Sequence, residues 1–138
     1  MMLKIARLDH IVLRTNDVSN MVRFYCEVLN CHVERTTDPE IGLTQIRAGS
    51  ALIDLVDVNS SLGKSGGGAP SRSGNSLDHF CLLLEKIDNN ALLEHLSDHH
   101  VKHSGFANRY GSEGFGPSLY IEDPDGNTVE LKSEHSSR

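Results

Sequence analysis

The sequence predicts an α+β fold in which two βαβββ modules form one domain, residues 1–138. The chain has 138 residues, of which 38% are hydrophobic; this length suffices for one core but not for two ordinary domains. The segment LDHIVL at 8–13 recurs as LDHFCL at 77–82, an offset of half the chain length that indicates an internal duplication. A pattern typical of a helix follows each copy, so each module begins with a strand and then a helix.

The first module is predicted at about residues 5–58. Asp17 is a favourable N-cap, and the apolar residues after it recur with the period of an amphipathic helix. These residues are Val18, Met21, Val22, Tyr25 and Leu29. Three short strands follow near 31–36, 43–48 and 51–58, with Gly49 and Ser50 as the tight turn between the last two.

The second module is predicted at about residues 77–132 and repeats this order. A helix begins after Asp88 or Asn89 and places Leu92, Leu93 and Leu96 on one face. Its three later strands are expected near 101–107, 118–122 and 128–132. The segment DPDG at 123–126 supplies the last turn, because Pro fixes φ and Gly tolerates a positive φ.

Residues 59–76 separate the modules and contain the sequence SSLGKSGGGAPSRSGNS. This composition buries little apolar surface and predicts a linker or a mobile loop. Its GKSGGG lacks the spacing of a phosphate-binding P-loop and no helix is expected after it. The polar tail 133–138 is expected to fray.

Charge and hydropathy exclude several classes of partner. The formal net charge of -6, from 13 basic and 19 acidic residues, provides no basic surface for nucleic acid. No apolar run approaches the length of a membrane span, and the start MMLKIARLDH has no signal-peptide core. We therefore expect a cytoplasmic protein, in which Cys26, Cys31 and Cys81 are buried structural thiols.

Four polar residues occupy equivalent positions in the two modules. His10 and His79 lie in the opening strands; Asp54 and Glu130 each stand between two aliphatic residues of a closing strand. A carboxylate in an apolar strand is costly to bury unless it is paired or bound to a metal. If the modules face each other about a pseudo-twofold axis, these residues converge as two imidazoles and two carboxylates, a ligand set for Fe, Mn, Ni, Co or Zn. The alternative interpretation is that all four are hydrogen-bonded core groups.

Residues 108–116, with sequence NRYGSEGFG, are predicted to form a lid or a substrate loop, because three glycines surround polar and aromatic side chains. Arg109 is a candidate for binding a substrate carboxylate or phosphate, and Tyr110 and Phe115 are candidates for shaping the pocket. Tyr120 shares a strand face with Ser118 and is a candidate hydrogen-bond donor at the site. The alternative for Arg109 is a solvated loop arginine, and the alternative for Tyr120 is a core tyrosine.

Several motifs together resemble the vicinal oxygen chelate superfamily, which includes glyoxalase I, bleomycin resistance proteins and type I extradiol dioxygenases. The resemblance extends from about residue 8 to 132. It rests on LDHIVL, VRFYCEVLN, IDL, LDHFCL and the closing GPSLYIEDPDGNTVEL, which is the most specific. Asn30 stands where the family has Gly after the first helix, and Asn also tolerates the left-handed conformation required there.

The resemblance implies that the modules form a cupped mixed sheet around one divalent metal ion. The positions that match the family's ligands are His10, Asp54, His79 and Glu130. The second ligand varies in the family and Asp54 is short, so a three-ligand site without it is the alternative; two histidines and one carboxylate are also the ligands of non-haem iron oxygenases. A homodimer is implied as well, with the site either within one chain or between two.

The family chemistry implies a small-molecule substrate whose adjacent oxygens chelate the metal. We expect a glyoxalase-type lyase or isomerase in which Glu130 acts as the base. An extradiol dioxygenase is the first alternative: the tail with Tyr120 fits it, but the family's extra histidine before Leu119 is missing. A non-catalytic drug-binding or antibiotic-binding protein of the bleomycin-resistance type is the second.

Overall fold

The computed structural model of the chain describes residues 2–71 and 76–135, and the chain divides into two units, the first of which ends at Ser71. Each unit contains a four-stranded sheet with one parallel and two antiparallel pairs. In both sheets the first strand lies beside the fourth, followed by the third and the second. The predicted α+β class and the βαβββ order of both modules are confirmed.

The first unit follows the predicted order of elements. They are β1 (His10–Thr15), α1 (Val18–Arg23), a π-helical segment (Phe24–Val28), β2 (His32–Thr36), β3 (Leu43–Ala48), β4 (Ala51–Asp57) and α2 (Ser61–Lys64). The side chain of Asp17 caps α1 by accepting a hydrogen bond from the Asn20 backbone at 3.1 Å. Asn30 has φ 57°, the left-handed conformation expected of it after the helix. Both helix ends therefore lie where the sequence places them.

One face of the first sheet supplies the core of the unit. Because side chains alternate along a strand, residues 13, 46, 53 and 55 point to one face, and all four are at most 7% exposed. Met21 and Tyr25, which follow the first strand in the helical segments, are fully buried with them. The opposite face of the sheet carries Val12 on β1 and Asp54 on β4, which are register partners.

The second unit repeats this arrangement. Its elements are β5 (His79–Leu84), α3 (Asn89–Asp98), β6 (Ala107–Gly111), β7 (Gly114–Glu122) and β8 (Thr128–Ser133). Asp88 caps α3 at the Ala91 backbone, and the buried side chains of α3 are Leu92 and Leu96. On the sheet, positions 119, 121, 129 and 131 are at most 2% exposed. The alternation again leaves the opposite face to polar residues, including Glu130.

The strand predicted at 101–107 is wrong, and the predicted loop at 108–116 is a regular hairpin. The strand β6 starts at Ala107 and pairs with β7 from Ala107↔Ser118 to Gly111↔Gly114. Gly114, with φ 93°, follows the turn and accepts a conformation that other residues rarely adopt. The strand is hidden in the sequence because ANRYG is half exposed at a sheet edge and carries no alternating apolar pattern.

The start of the predicted linker belongs to the first unit. Ser60 caps α2 at the Gly63 backbone at 3.0 Å. The guanidinium of Arg14 donates to the carbonyl oxygens of Gly63, Gly67 and Gly68 at 3.2, 2.7 and 3.0 Å. The predicted linker and tail also include residues 72–75 and 136–138, which lie outside the described residues. None of the helices in the described ranges has the length and apolar content needed to cross a bilayer.

Candidate functional site

Each unit brings one predicted histidine and one predicted acid to the same face of its sheet. In the first unit Asp54 of β4 lies beside Val12 of β1, two residues after His10. In the second unit Glu130 of β8 lies beside Cys81 of β5, two residues after His79. Since residues two apart share a strand face, both units contain the same arrangement of imidazole and carboxylate. We call His10 with Asp54 the first half-site and His79 with Glu130 the second half-site.

Both histidine rings are held by the aspartate that precedes them. His10 Nδ1 lies 2.7 Å from Oδ2 of Asp9, and His79 Nδ1 lies 2.7 Å from Oδ2 of Asp78. A carboxylate on one ring nitrogen is the usual partner of a metal-binding histidine, because it fixes the ring and leaves the other nitrogen for the metal. Asp9 and Asp78 were not predicted as site residues, although the repeated triplet LDH shows them in the sequence.

The second half-site has the spacing of two ligands of one ion. His79 Nε2 lies 3.2 Å from Oε1 of Glu130. Two ligand atoms that each lie about 2.1 Å from one ion are about 3.0 to 3.4 Å apart at octahedral and tetrahedral angles. The side chain of Glu130 is 10% exposed, so its charge requires such a partner. The nitrogen and oxygen lone pairs here can share a proton or bind one cation.

In the first half-site the carboxylate of Asp54 is held by an amide. Nε2 of Gln45 lies 3.3 and 3.2 Å from the two carboxylate oxygens of Asp54, and Asp54 is 4% exposed. The hydrogen bond to Asp9 raises the pKa of His10, and the negative charge of Asp54 adds to that effect. Gln45 was not recognised in the sequence, where no pattern distinguishes it from an ordinary strand residue.

The four predicted ligands are divided between the two units. Among the described residues, no group of three or more His, Cys, Asp and Glu side chains stands close enough to hold a metal ion. Each half-site has ligand atoms of the right type, an imidazole nitrogen and a carboxylate oxygen, and one aspartate that orients its histidine ring. Convergence of all four ligands on one ion stays a prediction.

Tyr120 lies within the second half-site. It is the β7 neighbour of Glu130 on β8, and its ring packs edge-to-face on the ring of His79 with centroids 5.2 Å apart. Cζ of Arg109 lies 4.2 Å from the centroid of the same ring, a cation–π distance. Tyr120 therefore lies beside Glu130 and His79 in this unit, and its predicted role as a hydrogen-bond donor at the site stays a prediction.

The three predicted substrate-binding residues lie on two faces of the second sheet. Arg109 is on the face of Tyr120 and Glu130, and its Nη1 donates to the backbone oxygen and Oγ of Ser118 at 2.6 and 3.1 Å. Tyr110 and Phe115 are register partners on the opposite face and are 73% and 65% exposed. Their rings pack edge-to-face at 5.1 Å. Arg109 therefore lies on the same sheet face as the second half-site, whereas Tyr110 and Phe115 lie on the other face.

Lys132 is a buried cation that links the strands of this face. It is 3% exposed, and its Nζ donates to the carbonyl oxygens of Arg109 and Gly116 at 2.7 and 3.1 Å. We expect Lys132→Met to lower the free energy of unfolding by about 1 to 3 kcal/mol, because both carbonyl groups lose their donor. Urea denaturation measures this difference. The control Lys86→Met, at an exposed position, should stay within about 0.5 kcal/mol of wild type; an equally small effect at Lys132 would contradict the prediction.

The expectation of three buried thiols holds only in part. Cys26 and Cys31 are partly buried, but Cys81 is exposed, because it lies on edge strand β5 and on the polar face. Burial raises the pKa of Cys31 from about 9 to about 11, and the charge of the nearby Cys26 thiolate makes a smaller contribution in the same direction.

Cys31 is therefore expected to be a slow nucleophile. Thiolate is the reactive form of cysteine, and this rise in the pKa lowers the thiolate fraction of Cys31 at pH 8 by about 100-fold. Iodoacetamide should alkylate Cys31 at least about 10-fold more slowly than a cysteine in an unstructured peptide, which peptide mass spectrometry over time can measure. Equal rates would show that the thiol is not buried as described.

Sequence comparison identifies one family over nearly the whole chain. Residues 7–131 match the Glyoxalase/Bleomycin resistance protein/Dioxygenase superfamily. A protein named catechol-2,3-dioxygenase from Bacillus subtilis is 28% identical over 123 residues, which are 88% of this chain but 39% of that protein. The chain thus spans about two fifths of the length of this relative.

Solved structures show the same fold. The integron cassette protein VCH_CASS1 from V. cholerae has a TM-score of 0.75 and 25% identity, covering 99% of this chain and all of that one. The virulence protein STM3117 from Salmonella typhimurium has a TM-score of 0.71 and 26% identity, covering 95% and 98% of the two chains. Duplicated βαβββ units, the repeated half-sites and the match over residues 7–131 lead to one conclusion: the chain belongs to the Glyoxalase/Bleomycin resistance protein/Dioxygenase superfamily.

Proposed function

We propose that the protein is a divalent-metal-dependent enzyme of the glyoxalase type, a lyase or isomerase that acts on a small substrate with adjacent oxygens. The observation that supports it is the duplication of one half-site: each unit has a histidine oriented by the preceding aspartate and a buried acid on the neighbouring strand. A structural role alone does not require both units to keep the same three groups.

The proposed ligands are His10, Asp54, His79 and Glu130, supplied by the two units of one chain or by those of two chains in a homodimer. Their imidazole and carboxylate groups suit one ion of Fe, Mn, Ni, Co or Zn. When bound, such an ion supplies Lewis-acid stabilisation of negative charge on the substrate oxygens. Asp9 and Asp78 keep the Nε2 atoms of the two histidines available.

Glu130 is the proposed base. Its carboxylate accepts the proton from the carbon α to the substrate carbonyl. The electron pair of the C–H bond becomes a C=C bond, and the π pair of the carbonyl moves to its oxygen to form an enolate. In an isomerisation the resulting carboxylic acid returns that proton to the former carbonyl carbon, while the hydroxyl proton on the adjacent carbon's oxygen moves to the other oxygen, so that the carbonyl and hydroxyl groups exchange places. His79 Nε2 lies 3.2 Å from Oε1 of Glu130, so this histidine would hold the ion next to the carboxylate that takes the proton.

Arg109 and Tyr120 are proposed to bind the substrate beside Glu130. The guanidinium of Arg109 uses Nη1 for Ser118, and its Nε and Nη2 groups have the fork geometry that suits a carboxylate or phosphate. The hydroxyl of Tyr120 is proposed to donate a hydrogen bond to a substrate oxygen. Tyr110 and Phe115 lie on the other sheet face, so they are given no contact with the reacting atoms.

An extradiol dioxygenase is the second candidate, favoured by the relative named catechol-2,3-dioxygenase. In this alternative His10, His79 and Glu130 bind non-haem iron as a two-histidine, one-carboxylate set. A third reading, a non-catalytic binder of a small molecule, uses the same surfaces without a metal.

Elemental analysis separates these candidates. Protein purified without an affinity tag or added metal is compared with the variants His10→Ala and His79→Ala. We expect about one equivalent of metal per site in wild type and its loss in both variants, because each removes one imidazole ligand. Iron would direct the next assay to ring cleavage of a catechol under air, and Ni, Co, Zn or Mn to glyoxalase-type isomerisation. A wild type that takes up none of these ions would contradict the proposal and favour the binder.

A further inference from the structure

A chain of hydrogen bonds leads from the edge of the first sheet to the first half-site. Nη1 of Arg35 on β2 donates to Oε1 of Gln45 on β3 at 2.7 Å, and Nε2 of Gln45 donates to both oxygens of Asp54 on β4. The three residues are cross-strand neighbours, Arg35↔Gln45 and Gln45↔Asp54, so they share one face of the sheet. Strand pairing therefore sets the position of each group, and the register of β2 against β3 shifts between Val33 and Arg35.

The orientation of the Gln45 amide follows from its two neighbours. A guanidinium only donates hydrogen bonds and an ionised carboxylate only accepts them. The amide oxygen must therefore face Arg35 and the amide nitrogen must face Asp54. Rotating the amide by 180° would place two donors together on one side and two acceptors together on the other, and both hydrogen bonds would be lost.

We propose that Gln45, held by Arg35, is a positioning residue that locks the carboxylate of Asp54 for metal binding. The Gln45 nitrogen is almost equidistant from the two oxygens, at 3.3 and 3.2 Å, and so it occupies the space between them. An ion must then approach Asp54 from outside that wedge, through one oxygen. This inference rests on the proposed function, because it assigns Asp54 a role as ligand.

The second half-site holds its acid differently. Tyr120 occupies the position equivalent to Gln45, beside Glu130 on the neighbouring strand, and its ring contacts His79 and Arg109. The side-chain contact of Glu130 is with Nε2 of His79. Asp54 is thus held by an amide on the neighbouring strand, whereas Glu130 faces an imidazole nitrogen.

Titration of the 138-residue chain with Mn²⁺ alone, followed by calorimetry, tests the chain of hydrogen bonds from Arg35 through Gln45 to Asp54, which we call the relay. Loss of a hydrogen-bond partner of a metal ligand typically weakens metal binding 10- to 100-fold, and this is the effect we expect for Gln45→Met. Arg35→Met should weaken binding in the same direction by a smaller factor. The matched control is Arg47→Met on the same strand face as Gln45, which removes the ion pair of Arg47 with Glu34, at 2.9 Å, without touching Asp54.

A double-variant measurement distinguishes positioning from a general structural effect. If Gln45 acts through Asp54, Gln45→Met should have no further effect on Mn²⁺ affinity in an Asp54→Ala background. Gln45→Met within twofold of wild type, while Asp54→Ala weakens binding, would overturn the inference. So would an equal loss in the Arg47→Met control.

A second measurement needs no metal and separates failure of the relay from failure of the proposed function. Gln45 is the only glutamine of the chain, so labelling with ¹⁵N-glutamine gives one pair of side-chain amide signals, from one nitrogen and its two hydrogens. We expect its hydrogens to exchange with water at least about 10-fold more slowly than in Asp54→Ala or Arg35→Met, because a bonded amide is protected. Slow exchange in a protein that binds none of Fe, Mn, Ni, Co and Zn would support the relay and reject the metal-dependent function. Fast exchange in wild type would reject the relay.

Discussion

Glu130→Gln is expected to weaken Mn²⁺ binding at least about 100-fold while leaving the fold intact. Gln keeps the length of Glu but removes its charge, and loss of a ligand's charge should cost at least as much as the 10- to 100-fold effect of disturbing a partner of a ligand. The side chain is 10% exposed and faces His79 at 3.2 Å, so a neutral amide fits the same volume. Calorimetric titration with Mn²⁺ gives the affinity, and circular dichroism checks the fold.

The matched control is Glu122→Gln. Glu122 lies on β7 on the same sheet face as Tyr120 but is exposed, and we expect this variant to bind Mn²⁺ within about twofold of wild type. Equal affinities of Glu130→Gln and wild type would remove Glu130 from the ligand set and from the role of base. The half-site would then be a hydrogen-bonded pair within the sheet.

The duplication made most of the fold predictable. An LDH triplet at the start of each module, a capped helix after it and an acid between aliphatics in the last strand define the same unit twice. Within such a unit the parallel pairing of first and last strand puts the histidine and the acid on one face, and the structure has this register in both sheets. The left-handed backbone of Asn30, with φ 57°, was predictable too, because Asn tolerates the conformation for which the family uses Gly at this position.

Partners from the middle strands were not predictable. Gln45 and Lys132 act through cross-strand contacts, and strand pairing decides which residues meet. The β6–β7 hairpin was missed for a related reason: Arg109 and Tyr110 alternate between faces, but neither face is apolar enough to show a strand pattern. As a result, three residues that are close in sequence were assigned to one pocket, although Arg109 lies on one face of the sheet and Tyr110 and Phe115 lie on the other face.

Leu131→Ala is expected to lower the free energy of unfolding by about 2 to 5 kcal/mol, the range for removing a buried leucine side chain. Leu131 is 1% exposed at the centre of β8, where its neighbours across the strands are Leu82 and Leu119. All three point to the apolar face, so the variant leaves a cavity that no polar group can fill. Urea denaturation followed by circular dichroism measures the loss.

Leu83→Ala is the matched control, because it makes the same change on the opposite face of the same sheet. Leu83 is 39% exposed and lies beside Lys132, so we expect it to cost less than about 1 kcal/mol. The difference between the unfolding free energies of the two variants reports which face of the sheet is the core. Glu130 precedes Leu131 on β8 and therefore points to the other face. Equal costs for both variants would mean that the alternation is not as described, and Glu130 would then lose its place beside His79 on the polar face.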